Sequence, residues 1–145
     1  MNKEIYEKNM KALCQKYPKW AKILEHKQKK ENINVIAEKS LAGDIILKVK
    51  KDKRTLYLNG KYAPEMAGRQ WIEKQGKIDA YTPIIILGIS NGMHIKQIMD
   101  SVPKTANILI YEPSFELFQR EMEEVDIAFL FELDIPVGIV VEGMN

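Results

Sequence analysis

Between Pro83 and Pro113 the sequence carries its tightest constraint. Ile84-Ile85-Ile86-Leu87 is followed by Gly88-Ile89-Ser90-Asn91-Gly92, a stretch of helical spacing, and then Ile108-Leu109-Ile110-Tyr111-Glu112. Short continuous apolar runs separated by an amphipathic helix predict buried parallel strands. The glycines mark a strand-to-helix turn where backbone can pass close to a ligand, and the helix start offers unpaired amides. Glu112 stands 24 positions after Gly88, at the end of the next strand. In a nucleotide-binding βαβ half an acid so placed meets ribose hydroxyls. The stretch therefore predicts parallel strands whose carboxyl edge carries the glycine turn and the acid together.

The pattern extends on both sides. Strands are expected at 84–88, 107–112 and 136–141, with helices at 92–102 and 114–124. Ile95, Ile98, Met99 and Val102 form the buried stripe of the first helix, and Phe115, Phe118, Met122 and Val125 that of the second. Upstream, Tyr6, Met10, Leu13, Tyr17, Trp20, Ala21 and Leu24 recur at helical steps, and Pro18 divides the stripe into two helices. Cys14 is assigned to the apolar face of the first helix, as a packing residue. Lys27 to Asn32 reads as a loop. Residues 33–58 read as three short antiparallel strands turning at Ala42-Gly43-Asp44 and Lys51-Asp52-Lys53. Such a meander is too small to fold alone and must pack on a neighbour. Asn59-Gly60 is a turn, and Ala63-Pro64 opens a helix with Ala67, Trp71 and Ile78 on one face. The fold class is α/β: a small Rossmann-like parallel sheet with helices on both faces, preceded by a helical segment and an antiparallel β-meander. Residues 1–60 form the appendage and 61–145 the βαβαβ unit.

Charge is divided between the same two segments. Residues 1–60 carry 15 Lys/Arg against 7 Asp/Glu, and residues 61–145 carry 7 against 13. No apolar stretch reaches the roughly 20 residues that span a bilayer, and residues 1–25 are too charged for a secretory signal. A lone cysteine forms no internal disulfide and fits a reducing cytoplasm. Two distant histidines and one cysteine give no metal-ligand spacing, so no metal is expected.

The candidate binding residues are Gly88, Ser90, Asn91, Gly92, His94 and Glu112. Asn91 is placed to cap the following helix, Ser90 to add a hydroxyl, and His94 to touch a ligand from the first helical turn. A plain alternative stands beside this reading: glycine for its dihedrals, and Glu112 as a favourable charge ahead of the helix after Pro113. The dinucleotide fingerprint wants a second glycine where Ser90 stands. A methyltransferase using S-adenosylmethionine would usually place an acid where Ile86 stands, so a small S-adenosylmethionine- or nucleotide-binding enzyme is the alternative. Lys48, Lys50, Lys51, Lys53 and Arg54 surround one hairpin turn without stacking aromatics, and a solvated tip is favoured over nucleic-acid binding. No catalytic Ser-His-Asp or Cys-His set can be assembled.

Taken in order, several segments resemble the N-terminal part of the motility accessory factor (Maf) glycosyltransferases, which modify flagellin with nonulosonic (sialic-acid-like) sugars. Tyr6 to Leu13 with Tyr17-Pro18 is similar to the family's opening helix. Leu58 to Pro64 is similar to its Ser-Lys-Tyr-Asp-Pro stretch, and Leu87 to Ile95 to its Gly-x-Gly-x-Gly-Tyr-His element. Tyr111 to Phe118 resembles its Glu-Pro helix start, and Asp126 to Phe131 its closing helix. Ser90 stands where the family has glycine, Met93 replaces an aromatic, Asn59-Gly60 a serine-containing turn and Ala63 an aspartate. The resemblance implies a bacterial, cytoplasmic accessory domain, not catalytic alone, whose partners are a downstream transferase domain or protein and flagellin. It implies no required cofactor, and a weak cleft for a nucleotide or nucleotide-sugar at the glycine turn. Family members continue into a central domain assigned the transferase site, whereas this sequence ends at Asn145, so no sugar transfer is expected of it alone.

Overall fold

The computed structural model describes residues 1–26, 34–58, 66, 69, 70, 73, 74, 83–133 and 137–144. The expected helix beginning at Ala63-Pro64, with Ala67, Trp71 and Ile78, lies outside these apart from isolated positions, as do the loop after Lys27 and the Asn59-Gly60 turn.

Helix α1 spans Lys3–Lys16 and α2 Pro18–His26. Asn2 caps α1 by accepting from the Ile5 amide at 3.2 Å. Glu4 in the first turn and Lys16 in the last complement the helix dipole. Pro18 ends one helix and opens the next, since its missing donor is not needed at a first helical position. Tyr17 stacks on Trp20 with centroids 4.6 Å apart, and the two rings present edges to Phe131 and Phe118.

The meander is β1 (Asn34–Lys39), β2 (Ile45–Lys51) and β3 (Arg54–Tyr57), antiparallel in that order. Its first turn is closed by Ser40, which donates from its amide to Asp44 O and accepts the Asp44 amide on its hydroxyl. Within the basic hairpin, Lys48 pairs with Glu38 across the strands at 2.8 Å.

The parallel sheet is β4 (Ile84–Leu87), β5 (Ile108–Glu112) and β6 (Val137–Val141), in the order β4-β5-β6. Helix α3 (Met93–Ser101) joins the first pair and α4 (Phe115–Glu124) leads through a 3-10 turn at Ala128–Phe131 toward β6. The α/β class and the order of elements hold. Both crossovers step the same way along the sheet, and right-handed connections then put both helices over one face. That face carries the buried Ile86, Ile108, Ile110, Val137, Ile139 and Val141. On the opposite face Ile85 and Leu87 are 66% and 74% exposed, so the described helices cover one side of the sheet.

One core joins all the parts. Leu13, Ala21, Val35, Leu47, Ile98, Ile110, Phe118 and Leu130 belong to a single cluster of buried residues, the larger side chains each contributing on the order of 1.5–3 kcal/mol when fully buried. Asn9 sits fully buried at the α1–α4 contact. Its Nδ2 donates to Met122 O at 2.9 Å and Val125 O at 2.7 Å, and its Oδ1 accepts from the Ile127 amide at 3.0 Å. It therefore satisfies carbonyls at the end of α4 that the helix itself leaves open. Cys14 corrects the sequence expectation: it is exposed. Leu13 points at the core, and one residue onward the helix has turned by about 100°.

Asn9→Ala should lower unfolding free energy by about 2–3 kcal/mol, because it strands buried carbonyls and an amide. Cys14→Ala should stay within about 0.5 kcal/mol of the parent in the same urea titrations.

Candidate functional site

At the carboxyl edge of the parallel sheet the chain leaves β4 through a turn that reverses direction within five residues. The Gly88 amide extends the β4–β5 ladder to Tyr111 O at 2.8 Å. Gly88, Ser90 and Gly92 then take φ values of 85°, 51° and 78°, all left-handed. A side chain at position 88 would meet nothing within 4 Å, so Gly88 is required only by its backbone. At position 92 a Cβ would lie 2.9 Å from the Phe129 ring, so Gly92 is required by space as well. Ser90 is the non-glycine exception, and it holds the conformation that glycine adopts at no steric cost. This accounts physically for the glycine at that place in the motif it resembles.

Glu112 closes the turn from the neighbouring strand. Its side chain is fully buried, with Oε2 accepting from the Ile89 amide at 3.0 Å and Oε1 from the Ser114 amide at 3.2 Å. The acid thus holds the glycine turn on one side and the start of α4 on the other. Ser114 caps α4 itself by accepting the Leu117 amide on its hydroxyl at 3.1 Å. Burial raises the Glu112 carboxyl above the ordinary range, opposed by the Ile89 amide, the adjacent Glu121 and the Ser114 amide.

Asn91 stands one residue ahead of the helix cap position, which Gly92 occupies. Its Oδ1 accepts from the Met93 amide at 3.1 Å, and its Nδ2 donates to Ile45 O at 3.0 Å, tying the turn to β2. His94 reaches back from α3 to Gly88 O at 3.1 Å. A carbonyl only accepts, so Nε2 carries the proton. Burial pulls the His94 pKa below its usual value, the Gly88 hydrogen bond partly opposing this, and the ring is neutral near pH 7.

All six sequence-derived residues therefore meet at one edge, with Gly88 and Glu112 on adjacent parallel strands. Their polar groups largely face one another. The amides of Gly88, Ile89, Gly92 and Met93 each have an acceptor inside the protein. A groove of about 520 Å³ lies elsewhere, along α3, where Arg69, Glu73, Met93, Lys96 and Asp100 line it. Among the described residues no group of three or more His, Cys, Asp or Glu could hold a metal ion. No described helix is long and apolar enough to cross a membrane.

Sequence reading missed Glu121. It is fully buried on α4 beside Glu112 and the Ser90 backbone, and neither carboxylate oxygen meets a donor in hydrogen-bonding geometry. Desolvation, then the neighbouring Glu112, push its carboxyl well above the ordinary range. The signal was present: position 121 lies three after Phe118 and four before Val125, inside the apolar stripe.

No family model matches the chain, and no curated protein matches it by sequence. Among solved structures it is similar to the MAf glycosyltransferase from Magnetospirillum magneticum AMB-1, with a TM-score of 0.63 and 16% identity. The match covers 98% of this chain and 28% of that one. The fold is thus one found as part of a larger glycosyltransferase.

Gly88→Ala should cost about 1–2 kcal/mol from backbone strain alone. Gly92→Ala should cost more, since Phe129 must also move. Ser90→Gly should change stability by less than about 1 kcal/mol, relief of strain offsetting the greater unfolded-chain freedom. Equal losses at 88 and 92 in thermal unfolding would contradict this turn geometry.

Proposed function

We propose that the chain acts as the accessory, non-catalytic part of a Maf-type glycosyltransferase that modifies flagellin with nonulosonic sugars. It would position a transferase domain or engage flagellin. The observation that carries this reading is the structural match running through 98% of this chain but only 28% of the glycosyltransferase. The ordered motif resemblance from Tyr6 to Phe131 supports it.

The site supports the non-catalytic half of the proposal. Turn amides that would bind a phosphate already have internal acceptors, and the acid that would meet a ribose is fully buried. An incoming anion must compete with those bonds, so any nucleotide or nucleotide-sugar contact there is weak. No cofactor is required for the positioning role.

The second reading, a small S-adenosylmethionine- or nucleotide-binding enzyme, rests on the adjacency of Gly88 and Glu112 at the carboxyl edge of a parallel pair. Calorimetric titration separates the two. Dissociation constants weaker than about 1 mM for S-adenosylmethionine and cytidine nucleotides are expected; micromolar binding would favour the enzyme. In a cell that makes this chain, in-frame removal of residues 1–145 should strip the sugar from flagellin, as read by intact-protein mass. Flagellin of unchanged mass would overturn the proposal.

A further inference from the structure

Glu112 and Glu121 bring two carboxyl groups together with zero exposure, and among the described residues no lysine or arginine pairs with either. The charged groups on the surrounding elements are engaged elsewhere. Arg120 on α4 pairs with Glu123 and Glu124 and donates to Val35 O. Lys96 on α3 lies over the Phe129 ring, and His94 is neutral and bonded to Gly88 O. Lys8 on α1 pairs with Asp126, and Glu142 after β6 accepts from Tyr111 Oη. Two adjacent buried carboxylates without a counter-ion cannot both be ionised. Glu112 accepts from two backbone amides, which favour its charged form, whereas for Glu121 the Ser90 backbone does so more weakly than burial and Glu112 oppose it. The proton therefore resides on Glu121, where it can be donated to Glu112.

We propose that Glu121 and Glu112 form a proton-sharing pair that latches the glycine turn Gly88–Gly92 to α4, and that losing the shared proton at raised pH loosens this latch. The inference is independent of the glycosyltransferase reading. Its sign is fixed by linkage. Unfolded Glu121 ionises from about pH 4.3, while the folded group holds its proton higher. The stability it contributes is present below that pH and is lost as pH rises through the folded value.

The test compares wild type with Glu121→Gln, which keeps shape and a donor toward Glu112. The melting temperature of Glu121→Gln minus that of wild type should grow as pH rises from about 4.3, with common titrations such as His94 cancelling. A difference that stays constant with pH overturns the proposal. Carboxyl-carbon NMR titration of unmodified protein supplies the second measurement. Glu121 should titrate above the exposed glutamates, and the Ile89 amide resonance should move with the same midpoint. Titration of Glu121 with the exposed glutamates overturns it.

Discussion

The hydrogen bond from the Ile89 amide to the Glu112 carboxylate is the constraint on which the carboxyl edge of this fold depends. Parallel strands have no tight turn to align them; each must be returned by a helix, and their carboxyl ends are left to loops. Here one side chain closes that edge. Glu112 ends β5, holds the turn leaving β4 through Ile89, and holds the start of α4 through Ser114. Asn91 extends the tie to β2, and Gly92 lets Phe129 pack against the turn. Three left-handed residues in five are held by the hydrogen bonds of the Gly88, Ile89 and Gly92 amides and by Phe129 packed on Gly92.

That arrangement gives the glycine turn a meaning different from its appearance in the sequence. A turn of this layout commonly presents free amides to phosphate. This one has the acid beside it in the same way, yet the acid accepts from the Ile89 amide, and the amides of Gly88, Gly92 and Met93 have other acceptors inside the protein. The geometry of a binding edge is kept while its donors are used for internal cohesion.

Most of the fold was legible because it follows from periodicity and from proline and glycine. Pro18 divided α1 from α2, short β-runs spaced by the turns at Ala42-Gly43-Asp44 and Lys51-Asp52-Lys53 gave the meander, and continuous apolar runs gave the parallel strands. The grouping of Gly88 with Glu112 was legible too, since strand ends in a parallel sheet share an edge. What escaped was the orientation of polar residues within apolar stripes. Asn9, three after Tyr6 and four before Leu13, and Glu121, between Phe118 and Val125, both occupy core-facing positions. A stripe is counted from its apolar members, so a buried polar residue within it is passed over. Cys14 erred in the other direction: its hydrophobic character suggested burial, but its angle beside Leu13 placed it outside.

Native-state hydrogen exchange at the Ile89 amide tests the central claim most directly. If Glu112 holds that amide in the folded protein, its exchange requires an opening as costly as that of the buried β5 amides, and responds equally steeply to denaturant. An Ile89 amide that exchanges as freely as the exposed β2–β3 turn, with no denaturant dependence, would show that the acid does not hold the turn.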